Sequence, residues 1–284
     1  MTRRRVVRVP ASSANLGPGF DVLAAALSLF VEVEVVETGR FGVVTDLAVA
    51  RDRRNLCVRG FAALHPPDGF EFRISSDVPL CGGLGTSAAA YLAGLLAADS
   101  IFELDADVLG EAARLEGHPD NAAAALHGGF VACAPGGAVA RIAVPAGLEA
   151  VLVVPGTAVR TRDARRALPE LVPMADAVAN LAAAAQLVLG LERGDLSLVA
   201  AGLADRLHQP HRAELYPRSA ELLEQAGSLG AIGATISGAG PSVLVWTHYE
   251  ATGAVLARLR ERTEGWADVL RVPFEEHGAD VRSL

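Results

Sequence analysis

The stretch Asp77-Val78-Pro79-Leu80-Cys81-Gly82-Gly83-Leu84-Gly85-Thr86-Ser87-Ala88-Ala89-Ala90 sets three glycines within four positions, then two hydroxyl residues, then an apolar run. Glycines let a backbone adopt positive φ and approach a ligand closely. The segment from Thr86 to Ala97 reads as a helix. Loop N–H groups that lead into a helix N-terminus favour anions, phosphate above all. The stretch therefore reads as a phosphate cradle whose guest is open: a nucleoside triphosphate, a dinucleotide, or none.

Immediately upstream, Phe70-Glu71-Phe72-Arg73-Ile74-Ser75 alternates as a strand with one wet face. That alternation bears on a competing reading, because Gly83-Leu84-Gly85-Thr86-Ser87-Ala88 satisfies the dinucleotide pattern G-x-G-x-x-A. The dinucleotide motif requires a buried parallel strand before the loop and an acidic residue about 20 positions on, at the end of the next strand. Here the strand runs into Ser76, Asp77 and Pro79, and the acidic residues Glu103 and Asp105 follow a helix. All 25 basic residues are arginine. Without lysine the chain has no Walker A loop, no protein-kinase strand lysine and no Schiff-base residue.

The 284 residues suffice for one large domain or two modest ones, and 51% hydrophobic against 20% charged residues is a globular balance. A net charge of −8 argues against a general nucleic-acid or anionic-membrane binder. No uncharged apolar run approaches the ~18 residues of a membrane span, and the basic N-terminus lacks the apolar core of a secretory signal. Cys57, Cys81 and Cys133 are scattered and odd in number, which fits reduced thiols and a cytoplasmic protein.

Before the cradle, Arg5–Pro10 reads as a strand, Ala11–Asp21 as a loop with a Gly-Pro-Gly turn, Leu29–Val36 as a strand, Asp46–Arg54 as loop, and Asn55–His65 as a helix capped by Asn55. Beyond it, Asp105–Gly117 reads as an amphipathic helix and Ala122–Leu126 as a small-residue segment before a turn and strand. Composition shifts near residue 146, giving domains over 1–146 and 147–284. In the second, Leu148–Val154 is an apolar strand. Ala175–Leu191, almost wholly apolar and so expected to be buried, precedes helices at Leu196–Leu207 and Glu214–Gly227. Strand, glycine turn and strand follow over 232–246, then a last helix and strand. Helices and strands mix without regular alternation, the mark of an α+β fold.

Phosphoryl transfer without lysine must rely on backbone N–H groups, a metal ion and arginines. Ser87 at a helix start and Glu116 at the end of the next helix supply hard oxygens for Mg²⁺ if those helices pack antiparallel. Taken alone, Glu116 is a solvated helix carboxylate, His118 a polar loop residue and Asp120 a turn cap. Thr161-Arg162-Asp163-Ala164-Arg165-Arg166 packs three arginines into five positions, and Arg206–Arg212 forms a second basic group. Arginine forks suit carboxylates and phosphates. With the isolated Asp21, they suit a small zwitterion, arginine holding its carboxylate and aspartate its ammonium.

Three separated segments, Pro10-Ala11-Ser12-Ser13-Ala14-Asn15-Leu16-Gly17-Pro18-Gly19-Phe20-Asp21, Pro79–Ala88 and Gly233-Ala234-Thr235-Ile236-Ser237-Gly238-Ala239-Gly240-Pro241-Ser242, resemble in order the three motifs of the galacto-, homoserine, mevalonate and phosphomevalonate (GHMP) kinase superfamily. Glu116–Asn121, Thr161–Pro169 and Asp205–Arg212 are similar to segments of the homoserine kinase branch. The resemblance implies a two-domain fold with a ribosomal-protein-S5-like first domain and a ferredoxin-like second. It implies ATP on Pro79, Leu80, Cys81, Gly82, Gly83, Leu84, Gly85, Thr86, Ser87 and Ala88, with Asn55 beside it. Mg²⁺ would sit on Ser87 and Glu116, with Arg165 joining them in catalysis. L-homoserine would lie among Asn15, Asp21, His118, Asn121, Thr161, Arg165, Arg212 and Gly238, with the site between the domains. Members are often homodimers.

Cys81 and Thr86 depart from the usual glycine and serine of the second motif. Many superfamily members carry an aspartate base where this chain offers Asn121. The acceptor's proton then leaves to the γ-phosphate, to water, or late in a loose transition state. A mevalonate-type kinase and a nicotinamide-dependent oxidoreductase stand as alternatives.

Overall fold

The computed structural model describes residues 3–80, 82–135 and 137–283. Strands β1 (Arg4–Ala14) and β2 (Leu23–Glu37) pair antiparallel from Arg4 opposite Val36 to Ala14 opposite Ala24, with a register shift at Pro10/Ala11. Proline cannot donate to the ladder, and such a shift is where a strand tolerates it. Along β2, Val31, Val33 and Val35 turn into the core, while Glu32 faces solvent. The short β3 (Gly42–Val44) leads through a loop to α1 (Leu56–Leu64) and then β4 (Phe70–Ser76), which lies antiparallel to β2 and parallel to β3.

Helix α2 (Thr86–Phe102) follows the glycine loop and is buried on most sides, as its run of alanine and leucine requires. After it come α3 (Val108–Glu116), capped by Asp107, α4 (Asp120–His127), and the hairpin strands β5 (Phe130–Cys133) and β6 (Val139–Ile142). β5 pairs with the start of β2, so one bent sheet carries both.

The chain then crosses to a second sheet. It runs β7 (Leu148–Pro155), helices α5 (Thr161–Arg166), α6 (Met174–Arg193), α7 (Leu196–Gly202), α8 (Gln209–Arg212) and α9 (Pro217–Gln225), strands β8 (Gly233–Ile236) and β9 (Val243–His248), α10 (Tyr249–Arg262) and β10 (Ala267–Arg271). The strand order β10-β7-β9-β8, all neighbours antiparallel, is the split βαββαβ arrangement of a ferredoxin-like layer. Trp246 of β9 stacks with Phe130 of β5 and packs on Phe274, so the two sheets share one apolar core. A final strand, β11 (Asp280–Ser283), returns to the first sheet and pairs with β1.

Several local readings change. Ala11–Ala14 is strand rather than loop, because its small side chains fit the buried interior of the β1–β2 ladder. The segment at 122–126 is the body of α4, and α7 stops at Gly202 rather than at Leu207. β3 and β11, three and four residues long, are strands only through their partners. Helix α6 is not buried all round: Ala183, Leu187 and Leu191 face the core, while Met174 and Leu181 are 78% and 73% exposed. Its length and composition alone match a membrane span, yet here it packs along α7 and donates from Asn180 Nδ2 to the carbonyl of Pro18. An alanine-rich helix has little amphipathic contrast, so its apolar total misstates its burial.

Candidate active site

The glycine loop is clamped from both sides. Ser237 Oγ donates to the Gly83 carbonyl, Ser242 Oγ to that of Gly82 at 2.9 Å, and the Ser12 amide to that of Leu84 at 3.1 Å. A Cβ on Gly83, whose φ is +97°, would stand 2.2 Å from the Ser237 carbonyl oxygen; one on Gly85 would stand 2.0 Å from Ser12 Oγ. These glycines are needed because the β8–β9 turn and β1 press on the loop, whatever ligand it holds. Gly85 precedes α2 in a left-handed conformation and provides no side-chain cap, leaving first-turn N–H groups of α2 as anion donors. Thr86 Oγ1 is buried without a partner among the described residues.

This N-terminus opens into a cavity of about 280 Å³ whose wall includes the Gly82–Ser87 loop, Asn15, Asp21, Glu116, His118, Asn121, Thr161, Arg165, Arg212 and Gly238. Ser87 Oγ donates to Glu116 Oε2 at 2.9 Å, joining the start of α2 to the end of α3. Burial raises the Glu116 pKa against the lowering effects of Ser87 and His118. His118 Nδ1 lies 2.9 Å from the carboxylate of Asp120, which is only 2% exposed and also accepts from the Asn121 amide. That hydrogen bond raises the His118 pKa over the opposing effect of burial. Ser12 Oγ donates to Asn121 Oδ1 at 2.9 Å, which turns the Asn121 Nδ2 hydrogens away from Ser12.

At the other end, Arg165 grips Asp21 with two bonds of 2.9 Å, and this ion pair is half-exposed. Both residues expected to take opposite ends of a zwitterion are thus paired with each other. Arg212 differs. It is 1% exposed, donates from Nε to the Ala164 carbonyl at 3.0 Å, and forms no ion pair among the described residues. Burial lowers its pKa. The Phe20 ring lies 5.6 Å from the Arg165 guanidinium and 5.3 Å from that of Arg212. Asn15 spans the corner, its Nδ2 donating to the Gly238 carbonyl and its Oδ1 accepting from the Asp21 amide.

A second cavity, about 290 Å³ and mainly apolar, shares Thr86 and Ser87 with the first and is walled by Val31, Leu47, Val49, Asn55, Ile74 and Leu80. Asn55 does cap α1, accepting from the Cys57 amide, and its Nδ2 donates to the Ala50 carbonyl. Not every expected nucleotide residue reaches these spaces. Pro79 faces a separate cleft beside β10, Ala88 is fully buried in the core, and Cys81 lies outside the described residues. Sequence reasoning missed Ser12, buried Asp120 as the partner of His118, and the apolar cavity. Ser12 had a signal in the small-polar segment; the cavity had none, because its wall comes from four distant segments.

A clamped glycine loop at a helix N-terminus, hydroxyl and carboxylate oxygens beside it, and a buried arginine across the pocket define a small-molecule phosphotransferase. Residues 52–129 match the family model described as the GHMP kinases N terminal domain, and residues 187–264 match that for the GHMP kinases C terminal. A homoserine kinase from Streptomyces avermitilis is 42% identical over 298 residues, covering 98% of this chain and 95% of that protein. One from Gloeobacter violaceus is 42% identical, covering 88% and 89%. The crystal structure of homoserine kinase from Cytophaga hutchinsonii superposes with a TM-score of 0.88 at 30% identity, covering 99% of this chain and 98% of that one. A mevalonate kinase structure shares the fold, with TM-score 0.73 at 13% identity. The chain belongs to the GHMP kinase family, and within it to the branch whose named members are homoserine kinases. Membership of a kinase family implies ATP as the phosphoryl donor. It also implies a small-molecule acceptor.

Proposed function

We propose that this chain is an ATP-dependent homoserine kinase that makes O-phospho-L-homoserine, the phosphorylated intermediate of threonine biosynthesis. The observation that carries the substrate half is Arg212, a buried guanidinium without a carboxylate partner among the described residues, facing a cavity that ends at a helix N-terminus. A buried unpaired charge is costly, and a substrate carboxylate supplies the missing partner. Arg165 and Asp21 are then positioned to meet the substrate carboxylate and ammonium, exchanging their mutual bond for two bonds to the zwitterion. Thr161 and His118 line the same space.

For the nucleotide, the apolar cavity beside Asn55 suits a base, and the Gly82–Ser87 backbone suits the phosphates. Ser87 and Glu116 are the donors that fit Mg²⁺: two hard oxygens already 2.9 Å apart, with room for phosphate and water as the other ligands. When bound, Mg²⁺ supplies charge neutralisation at the transferring phosphoryl group. The substrate hydroxyl oxygen bonds to the γ-phosphorus while the bond to the ADP oxygen breaks, and the hydroxyl proton leaves late, to the transferred phosphoryl oxygen or to water. Asn121 serves as a hydrogen-bond donor rather than a base, because a carboxamide takes up no proton at physiological pH and the bond from Ser12 to its Oδ1 leaves Nδ2 free to face the cavity.

The domain division at 146/147 is proposed as the crossing between the sheets, with β11 crossing back. The homodimer is proposed on the resemblance, and light scattering checks it. A coupled ADP-release assay over homoserine, mevalonate and shikimate tests the central reading; no turnover with homoserine overturns it.

A further inference from the structure

Among the groups the proposed reaction leaves without a role, His208 at the start of α8 has the most constrained surroundings. It is fully buried, and both ring nitrogens face partners of fixed character. Nε2 lies 2.8 Å from the Gly17 carbonyl oxygen, which can only accept, so Nε2 carries the hydrogen. Nδ1 lies 3.1 Å from Arg212 Nη1, which can only donate, so Nδ1 is bare. The two bonds together admit one state, the neutral Nε2–H tautomer. A second proton, on Nδ1, would point N–H at N–H.

The charged groups around the ring are consistent with that state. Asp205, whose carboxylate lies 3.4 Å from Nε2, and Asp21 favour the cation; burial, the largest effect, and Arg212 oppose it, and the net shift is downward. Phe20 packs on the imidazole at 5.4 Å between ring centroids. Asp205 is itself committed, accepting from the amides of Leu207, His208 and Gln209. The Gly17 carbonyl belongs to the turn that leads to Phe20 and Asp21. One imidazole therefore ties the substrate-side turn of the first sheet to Arg212, which has no carboxylate partner among the described residues.

We propose that His208 is a positioning residue for homoserine binding: anchored through Nε2–H to Gly17, it holds the Arg212 fork at the cavity through Nδ1. It touches no reacting atom. The proposal rests on the reading of Arg212 as the holder of the substrate carboxylate. Ala164 and His208 then fix two of the guanidinium nitrogens, so the fork reaches the substrate with little rotational freedom left to lose.

Amide side chains separate the two bonds. In His208→Asn, Oδ1 stands near the place of Nδ1 and keeps an acceptor for Arg212. In His208→Gln, the amide nitrogen reaches the Gly17 carbonyl but the acceptor near Nδ1 is gone. Steady-state kinetics should show the homoserine KM raised about tenfold or more in His208→Gln and within about threefold of the parent in His208→Asn. The ATP KM should be unchanged in both, which also reports that they fold. In a double-mutant cycle, His208→Gln should add nothing to the homoserine KM of Arg212→Met, because its effect passes through the guanidinium. A homoserine KM unmoved by His208→Gln, an equal rise in the Asn variant, or additivity with Arg212→Met overturns the proposal. If Arg212→Met itself leaves the homoserine KM unchanged, the reading of Arg212 falls first, and the two failures are told apart.

Discussion

Gly83→Ala tests whether the glycine loop is shaped by the protein's own packing. Gly83 has φ +97°, and an added Cβ would stand 2.2 Å from the Ser237 carbonyl oxygen. An L-residue held at positive φ costs about 1–2 kcal/mol. Forcing the β8–β9 turn back by about 1 Å costs a further ~1–3 kcal/mol, as in overpacked cores. The sum is ~2–5 kcal/mol, which for a chain of this size lowers Tm by roughly 3–8 °C. Gly39 is the control: its φ is +78°, and a methyl added there would meet nothing within 4 Å, so Gly39→Ala should show only the conformational part. The assay is differential scanning fluorimetry of both variants, without nucleotide. Equal Tm losses would refute the clamp, because the overlap with Ser237 would then add nothing.

Glu116→Gln should lower kcat by at least ~10²-fold through lost metal positioning, with Tm no lower than the parent at neutral pH, since it removes a buried charge. The raised Glu116 pKa of the free protein means that kcat/KM falls with decreasing pH sooner than for an ordinary carboxylate, and the kcat/KM profile of the parent should show that acid limb. For His118 the sign is reversed: its raised pKa contributes stability that is full below the ordinary histidine value and fades as pH rises through the folded value. Asp120→Asn should therefore flatten the Tm–pH curve on that side. Thr86→Val should leave Tm equal or higher, because it removes an unpartnered buried hydroxyl, while a raised ATP KM would show that the hydroxyl serves the nucleotide. Arg165→Ala should raise the homoserine KM by about tenfold, modest because the Arg165–Asp21 pair is half-exposed; an unchanged KM would place it outside the site.

Much of the site is legible in the sequence because its parts are chemically unusual over short spans. Glycines beside hydroxyls, Glu-Gly-His-Pro-Asp-Asn, and arginines clustered at 161–166 each stand out from their surroundings. What escapes depends on pairing at a distance. Ser12 and Ser13 look like loop residues, yet they lie in a strand, and their hydroxyls bond Asn121 and Ser237 from other elements. The Asp21–Arg165 bond joins residues whose separate roles can be guessed, while their mutual contact cannot. α6 misleads for the opposite reason: alanine serves a buried face and an exposed face equally well, so composition does not report orientation.

The place of β11 has a temporal consequence. Arg5 pairs with Ser283, Arg8 with Asp280, and Phe274 bridges to Leu27. On the ribosome, at ~5–20 residues per second, the partner of Arg5 is made roughly 14–55 s after Arg5 itself. Throughout that interval the β1 edge offers unpaired N–H and C=O groups to any passing strand. The nascent chain thus carries an open template until β11, made more than 260 residues after β1, arrives to close it.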